Sequence, residues 1–494
     1  MTFFIFFSAA NGALKVPFVL FFDCDIIFLL FWRIKMSRAI GKEKKNNMTE
    51  GVIWRSILLF SLPLIAGNIM QQLYNTADSF IVGQFVGDTA LASVGMSGTI
   101  GFFLMAFMWG ASTGSGVVIS RYFGANDRLN LGKAVHTTMI LSVIIGAMVS
   151  VLGIVLAKPF LMVLGCPEDM MSTAILYIRI FFGGMIFNAI YNMAAGILNA
   201  VGNSRRTLLY LGISSITNIV LDLLFVAVFR WGVAGAAIAT CVSQLISAIL
   251  IVINLLRTSE PYGLRIKELR FDSLAARQII RTGFPTAIQN AVLAFSNLLI
   301  QAGVNAYGTL AVAGFTACLK VDGFNILPVM SFSLAATTFV GQNIGAGRMD
   351  RVKKGTVTAM VMCIIYSAVI SMIMIIFRTK IISIFSESDA VVEYGVQCLM
   401  ALAPFYVLLA VIHSLAGAVR GSGHTVPPMV IILISLCAYR VAWIEIAAPL
   451  FGSIIGVYLT YSTSFFVGAA LMVIYTLRGK WLIPKTYGEN RSPS

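Results

Sequence analysis

Long apolar stretches recur along the chain at near-regular spacing, and each is about as long as a helix that crosses a bilayer. The 494 residues are 59% hydrophobic and only 11% charged, and a hydrocarbon core about 30 Å thick requires roughly 20 apolar residues per helix. A chain of this composition cannot fold as a water-soluble domain. We therefore predict an all-α integral membrane protein with twelve transmembrane helices. The predicted spans are 56–84, 91–119, 134–157, 171–198, 207–229, 233–256, 278–303, 310–340, 356–377, 393–418, 427–450 and 453–477.

Basic residues are divided unequally between the two sets of loops. The formal net charge of +15 could suggest nucleic-acid binding. Most Lys and Arg residues, however, lie in alternate loops, with Arg420 assigned to the loop after the tenth span. The opposite loops contain four basic residues, Lys158, Arg230, Arg378 and Lys380. This bias places both ends of the twelve-span body in the cytoplasm. We expect a multi-pass protein of a cell membrane, such as the bacterial cytoplasmic membrane, with anionic lipids as partners and no nucleic acid.

Motifs for catalysis and nucleotide binding are missing from the sequence. It contains no GxxxxGK[ST] run for ATP and no HExxH motif for a metalloprotease. The seven cysteines are scattered without CxxC spacing, so we interpret them as small apolar packing residues. We predict that the protein is not an enzyme, has no cofactor, and would draw on an ion gradient for any transport.

An internal repeat divides the spans into two halves of six. A shift of 221 residues superposes five glycine pairs, roughly three times the number expected by chance, and most of the pairs lie at loops and span ends. Because six is an even number, the halves share one orientation, and two lobes could alternate access by rocking. The loops around Gly124 and Gly345 should then lie on the same, cytoplasmic side. The glycine pairs are Gly87 and Gly308, Gly124 and Gly345, Gly196 and Gly417, Gly202 and Gly423, and Gly235 and Gly456.

Residues 1–47 precede the repeat as an apolar stretch followed by a polar, basic segment. Its paired Asp23 and Asp25, and the missing small-residue cleavage site, argue against both a thirteenth span and a signal peptide. We interpret 1–47 as an extension outside the fold, with Met48 as one alternative start. The other predicted parts are an N-lobe at 48–256, a solvated cytoplasmic linker at 257–282, a C-lobe at 283–480 and a cytoplasmic tail at 481–494.

Polar residues follow one stripe of the first span, and Asp78 is its charged member. Asn68, Gln71 and Asn75 lie along the same stripe. A carboxylate at membrane depth costs roughly 2.5 kcal/mol or more on insertion scales, so the stripe should face a watery cavity or a partner helix. We predict that Asp78 is functional and that the three amides line a cavity.

A second acid, Asp222, lies on the fifth span, four residues after Asn218, so both side chains share a helix face. A rise of about 1.5 Å per residue places Asp222, Asp78 and Thr240 at similar depths in the outer half of the membrane. Their oxygens suit a hard cation such as Na⁺ or a shared proton, because two close carboxylates cannot both stay ionised alone. The alternative is that Asp222 caps a helix end and Asp78 satisfies neighbouring donors.

The second half has three charged residues inside its spans. Lys320 and Asp322 are two residues apart and cannot face the same way on a helix. Arg440 is deep enough to need a partner, which could be Asp322, a backbone carbonyl or cavity water. We include all three as candidates for lining the cavity. No role is assigned to the isolated histidines His136, His413 and His424.

A specific combination of motifs extends over residues 50–480. It consists of Pro63, Asn75, Asp78 and Gly83; Gly124-Ala125 and its copy Gly345-Ala346; Gly196 and Gly202; and Asn218, Asp222, Gly232, Gly235 and Thr240. This combination resembles the multidrug and toxic compound extrusion (MATE) family. The resemblance implies a twelve-helix, two-lobed antiporter that expels organic cations in exchange for Na⁺ or H⁺. It also implies that the N-lobe cation site of the DinF-like branch is formed here by Asp78, Asn218, Asp222 and Thr240. The seventh span lacks the acid of the NorM-like branch.

Two functions are compatible with this sequence. The first is a drug or organic-cation antiporter in which Asp78 and Asp222 bind the coupling ion from outside. The second is a flippase for a lipid-linked oligosaccharide or another amphipathic lipid. A pyrophosphate head group would require several cavity arginines, and Arg440 and Lys320 alone qualify. We expect the antiporter, working as a monomer among membrane lipids.

Overall fold

The computed structural model describes residues 48–163 and 166–483, without the side chains of 88–93, 96–100 and 169. Eleven helices in these residues are long and apolar enough to cross a membrane, and a helix pair bent by 43° makes a twelfth span. The prediction of an all-α fold with twelve spans is confirmed. The spans are α1 (Ile53–Phe85), α2 (Asp88–Gly124), α3 (Arg128–Val155), α4 (Glu168–Gly183 and Met185–Ala200), α5 (Ser204–Val228), α6 (Gly232–Arg257), α7 (Ser273–Asn305), α8 (Thr309–Gly345), α9 (Met349–Ile376), α10 (Asp389–Gly421), α11 (Val426–Phe451) and α12 (Ile454–Leu477).

The bend in α4 was not expected from the apolar run 171–198. It occurs at Gly184, where a Cβ atom would lie 2.3 Å from Cys241 Sγ of α6. The Cys241 thiol donates to the Ile180 carbonyl at 3.2 Å, next to the break. Because Gly184 has no side chain, α6 can pack directly against the bend. Hydropathy carries no signal for such a contact.

Packing contacts in the two halves repeat with the predicted shift of 221 residues. Ser112 Oγ donates to the Asn192 carbonyl at 2.7 Å, and the equivalent Ser333 Oγ donates to the His413 carbonyl at 2.6 Å. These bonds join the second and fourth spans of each half. A short helix also follows the third span of each half, Ala157–Val163 in one and Arg378–Ser383 in the other.

The halves meet around a pseudo-twofold axis between α2 and α8. A Cβ on Gly341 would lie 2.1 Å from Ser120 Oγ, and these two positions are equivalents in the repeat. A Cβ on either Gly124 or Gly345 would lie 2.0 Å from a backbone carbonyl oxygen of the facing helix. The two loops therefore lie side by side on one face, as the repeat predicts. We call this the cytoplasmic side, from the distribution of basic residues.

The first and seventh spans each begin in the apolar core of the opposite lobe. Met48, Ile57 and Phe60 pack in the cluster formed by the second half of the chain. Ala276 and Ile279 of α7 pack in the cluster formed by the first half. The outer end of α1 returns to its own lobe. The lobes are therefore packed together on the cytoplasmic side. Residue 48 begins the predicted N-lobe in the sequence, but its side chain packs in the core of the C-lobe.

The connection between α6 and α7, predicted as a solvated amphipathic linker at 257–282, has a buried apolar part docked on the N-lobe, whereas residues 265–271 are exposed. Tyr262 and Leu264 are buried in the N-lobe cluster, and the amide of Arg265 donates to His136 Nε2 at 3.1 Å. Asp272 lies 3.6 Å from Lys133 Nζ. Helix α7 begins at Ser273, inside the predicted linker. The charged composition of the segment concealed its apolar anchors, and His136 has a structural role that the sequence did not reveal.

The predicted extension 1–47 lies outside the described residues. The chain from Met48 onward has its own contacts, because Met48 is fully buried and its amide donates to Gln342 Oε1 at 3.2 Å. We therefore expect a chain that begins at Met48 to insert and to transport at close to the full-length rate. Purification yield and transport in proteoliposomes would measure this. Failure of the shorter chain to fold, at equal synthesis, would show that residues 1–47 belong to the structure.

Candidate functional site

The two membrane-embedded carboxylates of the first half lie together. Asp78 of α1 and Asp222 of α5 are 8% and 0% exposed, and their carboxyl groups are close enough to share a proton. Two carboxylates this close in a poorly solvated site repel each other unless a cation or a proton lies between them. The pairing predicted from helix depth is what the structure shows.

An amide and two hydroxyls complete the cluster. Asn218 Nδ2 donates to Thr240 Oγ1 at 3.4 Å, which joins α5 to α6, and the Tyr74 hydroxyl lies beside Thr240. The Asn218 amide group donates to Thr240, and its carbonyl oxygen is buried without a hydrogen-bond donor among the described residues. The structure thus brings together all four residues predicted for the cation site, with Tyr74 in addition.

Four oxygens of this cluster are buried without a hydrogen-bond donor in the part of the chain that the structure describes. They are Asp78 Oδ1, Asn218 Oδ1 and both carboxylate oxygens of Asp222. A buried acceptor without a donor costs about 1–3 kcal/mol, and more when it is charged. Four in one place are therefore costly unless a proton or a cation neutralises the carboxylates. The side chain of Asp222 makes no helix-capping hydrogen bond.

Local backbone geometry brings α5 and α6 to this site. A π-helical segment, Leu223–Val228, begins directly after Asp222, and such segments are frequent at functional sites because they redirect the side chains of a helix. In the turn that follows, Arg230 and Gly232 have φ values of 55° and 59°. Gly235 then allows α6 to approach α5, since a Cβ there would lie 3.1 Å from Phe225. Together, the π-helical segment, the turn and Gly235 place α6 antiparallel to and against α5, so that Thr240 lies opposite Asn218.

An apolar layer lies on the outer side of the cluster. These apolar neighbours lower the local dielectric, which strengthens the interaction of the oxygens with any cation. The layer consists of Ile81, Val82, Tyr177, Val226, Val233, Ala236 and Ala237.

The three amides predicted to line a cavity follow one face of α1. Asn68 Nδ2 donates to Ser331 Oγ at 2.9 Å and to the Leu327 carbonyl at 3.4 Å, both on α8 of the other lobe. Gln71 and Asn75 continue the same face toward the outer end of α1, and both side chains are exposed. The face therefore starts at a contact between the lobes and continues into accessible space.

In the second half, Arg440 finds neutral partners. Its Nε donates to Ser464 Oγ at 3.0 Å and its Nη1 to Asn297 Oδ1 at 3.3 Å. The guanidinium also lies 4.6 Å from the centroid of the Tyr461 ring. Hydroxyl, amide and aromatic partners were none of the alternatives considered from sequence. Asp322 acts on Arg440 as a nearby charge and not as a hydrogen-bond acceptor.

Lys320 and Asp322 point in different directions, as their spacing predicts. Asp322 is 5% exposed and lies beside the Tyr406 hydroxyl inside the C-lobe. Lys320 is exposed, with its Nζ 5.7 Å from the centroid of the Phe385 ring. Asp322 and Arg440 are thus both buried within the C-lobe and apart from the Asp78 cluster.

Arg420, which the sequence placed in a loop, is a buried residue. It is 7% exposed at the end of α10, where its Nη2 donates to Ser333 Oγ at 2.9 Å and its Nη1 to Gln289 Oε1 at 3.5 Å. A basic residue at a span end cannot be distinguished from a loop residue by hydropathy. The long side chain reaches back into the lobe, as helix geometry favours.

Comparison with known proteins agrees with this architecture. The MatE family matches residues 63–224 and 285–443, one segment in each half of the repeat. A relative in Bacillus subtilis (strain 168), described as "Probable multidrug resistance protein YpnP", is 29% identical over 449 residues, which are 90% of this chain and 100% of the relative. In Thermotoga maritima, "Probable multidrug resistance protein NorM" is 26% identical over 445 residues, which are 87% and 93% of the two chains.

Solved structures share the fold. One is described as the "Outward-facing conformation of a multidrug resistance MATE family transporter of the MOP superfamily". It superposes with a TM-score of 0.83 at 21% identity, over 90% of this chain and 99% of the other. At this identity the likeness establishes the twelve-helix, two-lobed architecture.

Proposed function

Since this chain belongs to the MatE family, whose members are transporters and not enzymes, we propose that it exports organic cations or drugs in exchange for Na⁺ or H⁺. The observation that carries the exchange mechanism is the group of four unpartnered oxygens on Asp78, Asn218 and Asp222. A buried site of this kind is stable only when it holds a positive charge. It is therefore suited to couple ion binding to a change in protein conformation. The assignment to the DinF-like branch stays a prediction.

Access from outside is consistent with the contacts between the lobes. The lobes are packed together at the cytoplasmic ends of α2 and α8, whereas Gln71 and Asn75 are exposed further out. An ion that enters from outside would neutralise Asp78 and Asp222 and change how α1 packs against α5 and α6. Because the cytoplasmic half of α1 packs in the C-lobe core, such a change at the ion site would be transmitted to the contact between the lobes.

The exported substrate would occupy the cleft between the lobes. Gln71 and Asn75 supply polar groups there, and the chain is rich in Met and Phe, with 23 and 35 residues. Flexible and aromatic side chains adapt to amphipathic molecules of varied shape. We place the working protein in the cytoplasmic membrane of a bacterium as a monomer, with lipids around it.

Transport in proteoliposomes would test this function. We expect a Na⁺ or pH gradient to drive efflux of a cationic fluorescent dye, and we expect no scrambling of labelled lipids. Lipid scrambling without ion-driven dye efflux would support the flippase, which the comparisons do not favour.

The same assay can identify the coupling ion. Binding of Na⁺ requires several oxygens at once, whereas a proton needs a single carboxylate. We expect Asn218→Ala and Thr240→Val to reduce the ratio of Na⁺-driven to pH-driven efflux by about fivefold or more, which corresponds to the loss of one ligand worth about 1 kcal/mol. The two rates are measured under a Na⁺ gradient at fixed pH and under a pH gradient without Na⁺. An unchanged ratio in both variants, or a wild type indifferent to Na⁺, would identify a proton site.

A further inference from the structure

The segment immediately before α1, residues 48–51, is held by an arginine of the other lobe. Arg351, in the first turn of α9, donates to three backbone carbonyls: Gly51 at 2.9 Å, Met48 at 3.1 Å and Glu50 at 3.2 Å. Its Nε also donates to Asn343 Oδ1 at 3.1 Å, which orients the guanidinium. The Arg351 side chain thus donates hydrogen bonds to three of the four backbone carbonyls of the segment.

A second arginine and an amide complete this contact. Arg348 donates to the Thr49 carbonyl at 2.7 Å, and Asn343 Nδ2 donates to the Met48 carbonyl at 3.1 Å. All four consecutive carbonyls from Met48 to Gly51 therefore accept hydrogen bonds from the turn between α8 and α9. Bonds from an ionised donor are roughly twice as strong as neutral ones.

Gln342 extends the contact to a third part of the chain. Its Oε1 accepts from the Met48 amide, while its Nε2 donates to the Ala200 carbonyl at 2.7 Å. Ala200 ends α4 of the N-lobe, and Gln342 is completely buried. The segment before α1, the C-lobe turn and the N-lobe are thereby joined at one point on the cytoplasmic side.

The architecture of the repeat does not require these arginines. The positions equivalent to Arg348 and Arg351 in the first half are Asp127 and Asn130. Asp127 caps its own helix by accepting from the Asn130 amide at 3.1 Å. The same turn therefore forms without an arginine in the N-lobe, so the two arginines are available for a different purpose.

We propose that residues 48–51, Arg348 and Arg351 form a latch that holds the cytoplasmic side closed and must release each time the lobes open inward. The latch joins the start of α1, which carries Asp78, to the C-lobe. Arg351 is a positioning residue, since it acts on the lobes and not on ion or substrate. The inference that the latch works within a transport cycle rests on the proposed function, but the release itself can be measured without transport.

Thiol labelling would test the latch directly. Met48 is fully buried, and its hydrogen bonds are made by its backbone, so Met48→Cys reports opening. We expect Arg351→Ala to accelerate labelling by a charged maleimide, applied to the cytoplasmic face, by about tenfold or more. Arg348→Ala, which removes a single bond, should give a smaller increase. Lys353→Ala is the matched control, because Lys353 is an exposed base in the same turn of α9. The labelling rate of the same variant without the Met48→Cys substitution is subtracted from each rate, because it measures the labelling of the native cysteines.

Transport separates a latch from a merely structural contact. With the latch weakened, a larger fraction of the protein is open to the cytoplasm, so KM for a cationic dye on that side should fall several-fold. Arg351→Lys, which keeps the charge, should lie between wild type and Arg351→Ala. Equal labelling rates in wild type and Arg351→Ala, or the same acceleration by Lys353→Ala, would overturn the latch. Accelerated labelling of the Arg351→Ala variant, together with no dye transport by the wild type, would contradict the proposed function and leave the latch standing.

Discussion

Asp78→Asn is expected to reduce ion-coupled efflux to the level of protein-free liposomes while the protein still inserts and folds. The amide keeps the size of the side chain and removes its charge, so the site loses one of the two carboxylates that attract the coupling cation. Folding should not suffer, because a buried carboxylate with an unpartnered oxygen costs free energy in the native state. Efflux under an imposed gradient and the yield of monodisperse protein measure the two effects separately.

Controls define what this result would mean. Asp389→Asn makes the same chemical change at an exposed position in the first turn of α10, and it should leave transport unchanged. We expect Asp222→Asn to match Asp78→Asn, because the two carboxyl groups lie together. Drug resistance at the wild-type level in cells that carry Asp78→Asn would refute the assignment of the site.

The membrane fold and the proximity of Asp78, Asn218, Asp222 and Thr240 could be predicted because their physical signals are local. Span length follows from bilayer thickness, and the spacing of Asn218 and Asp222 follows from helical periodicity. Depth counting then related α1, α5 and α6, since each span has a known start and a fixed rise per residue. The π-helical segment after Asp222 has no comparable signal in the sequence, and neither has the position of Tyr74 beside Thr240.

Several contacts, both between the lobes and within them, were invisible in the sequence for identifiable reasons. The latch uses backbone carbonyls, which every residue has, so the sequence of residues 48–51 does not distinguish them from other segments of the chain. Arg420 and Arg440 donate to neutral hydroxyl and amide partners, and no opposite charge in the sequence marks such partners. The docking of the linker depends on Tyr262 and Leu264, two apolar residues within a charged segment.

The glycines at the crossing of α2 and α8 did leave a trace in the sequence, as matched positions of the repeat, and they lead to the second large effect. A Cβ on Gly345 would lie 2.0 Å from the Arg121 carbonyl oxygen, and a Cβ on Gly124 would lie 2.0 Å from that of Gln342. Both obstacles are backbone atoms, which cannot rotate away. The helices would have to separate, and overpacking of this kind costs about 1–3 kcal/mol.

We therefore expect Gly345→Ala and Gly124→Ala each to reduce the maximal transport rate about tenfold or more, because the state closed on the cytoplasmic side loses this free energy relative to the open state. The matched control is Gly132→Ala in α3, where a Cβ would meet nothing within 4 Å. Alanine is the better helix former by roughly 1 kcal/mol, so the control should be as active as wild type and no less stable. Labelling of Met48→Cys should rise in the two crossing variants and stay constant in the control. Normal transport by Gly345→Ala would mean that the lobes do not need this close contact to close.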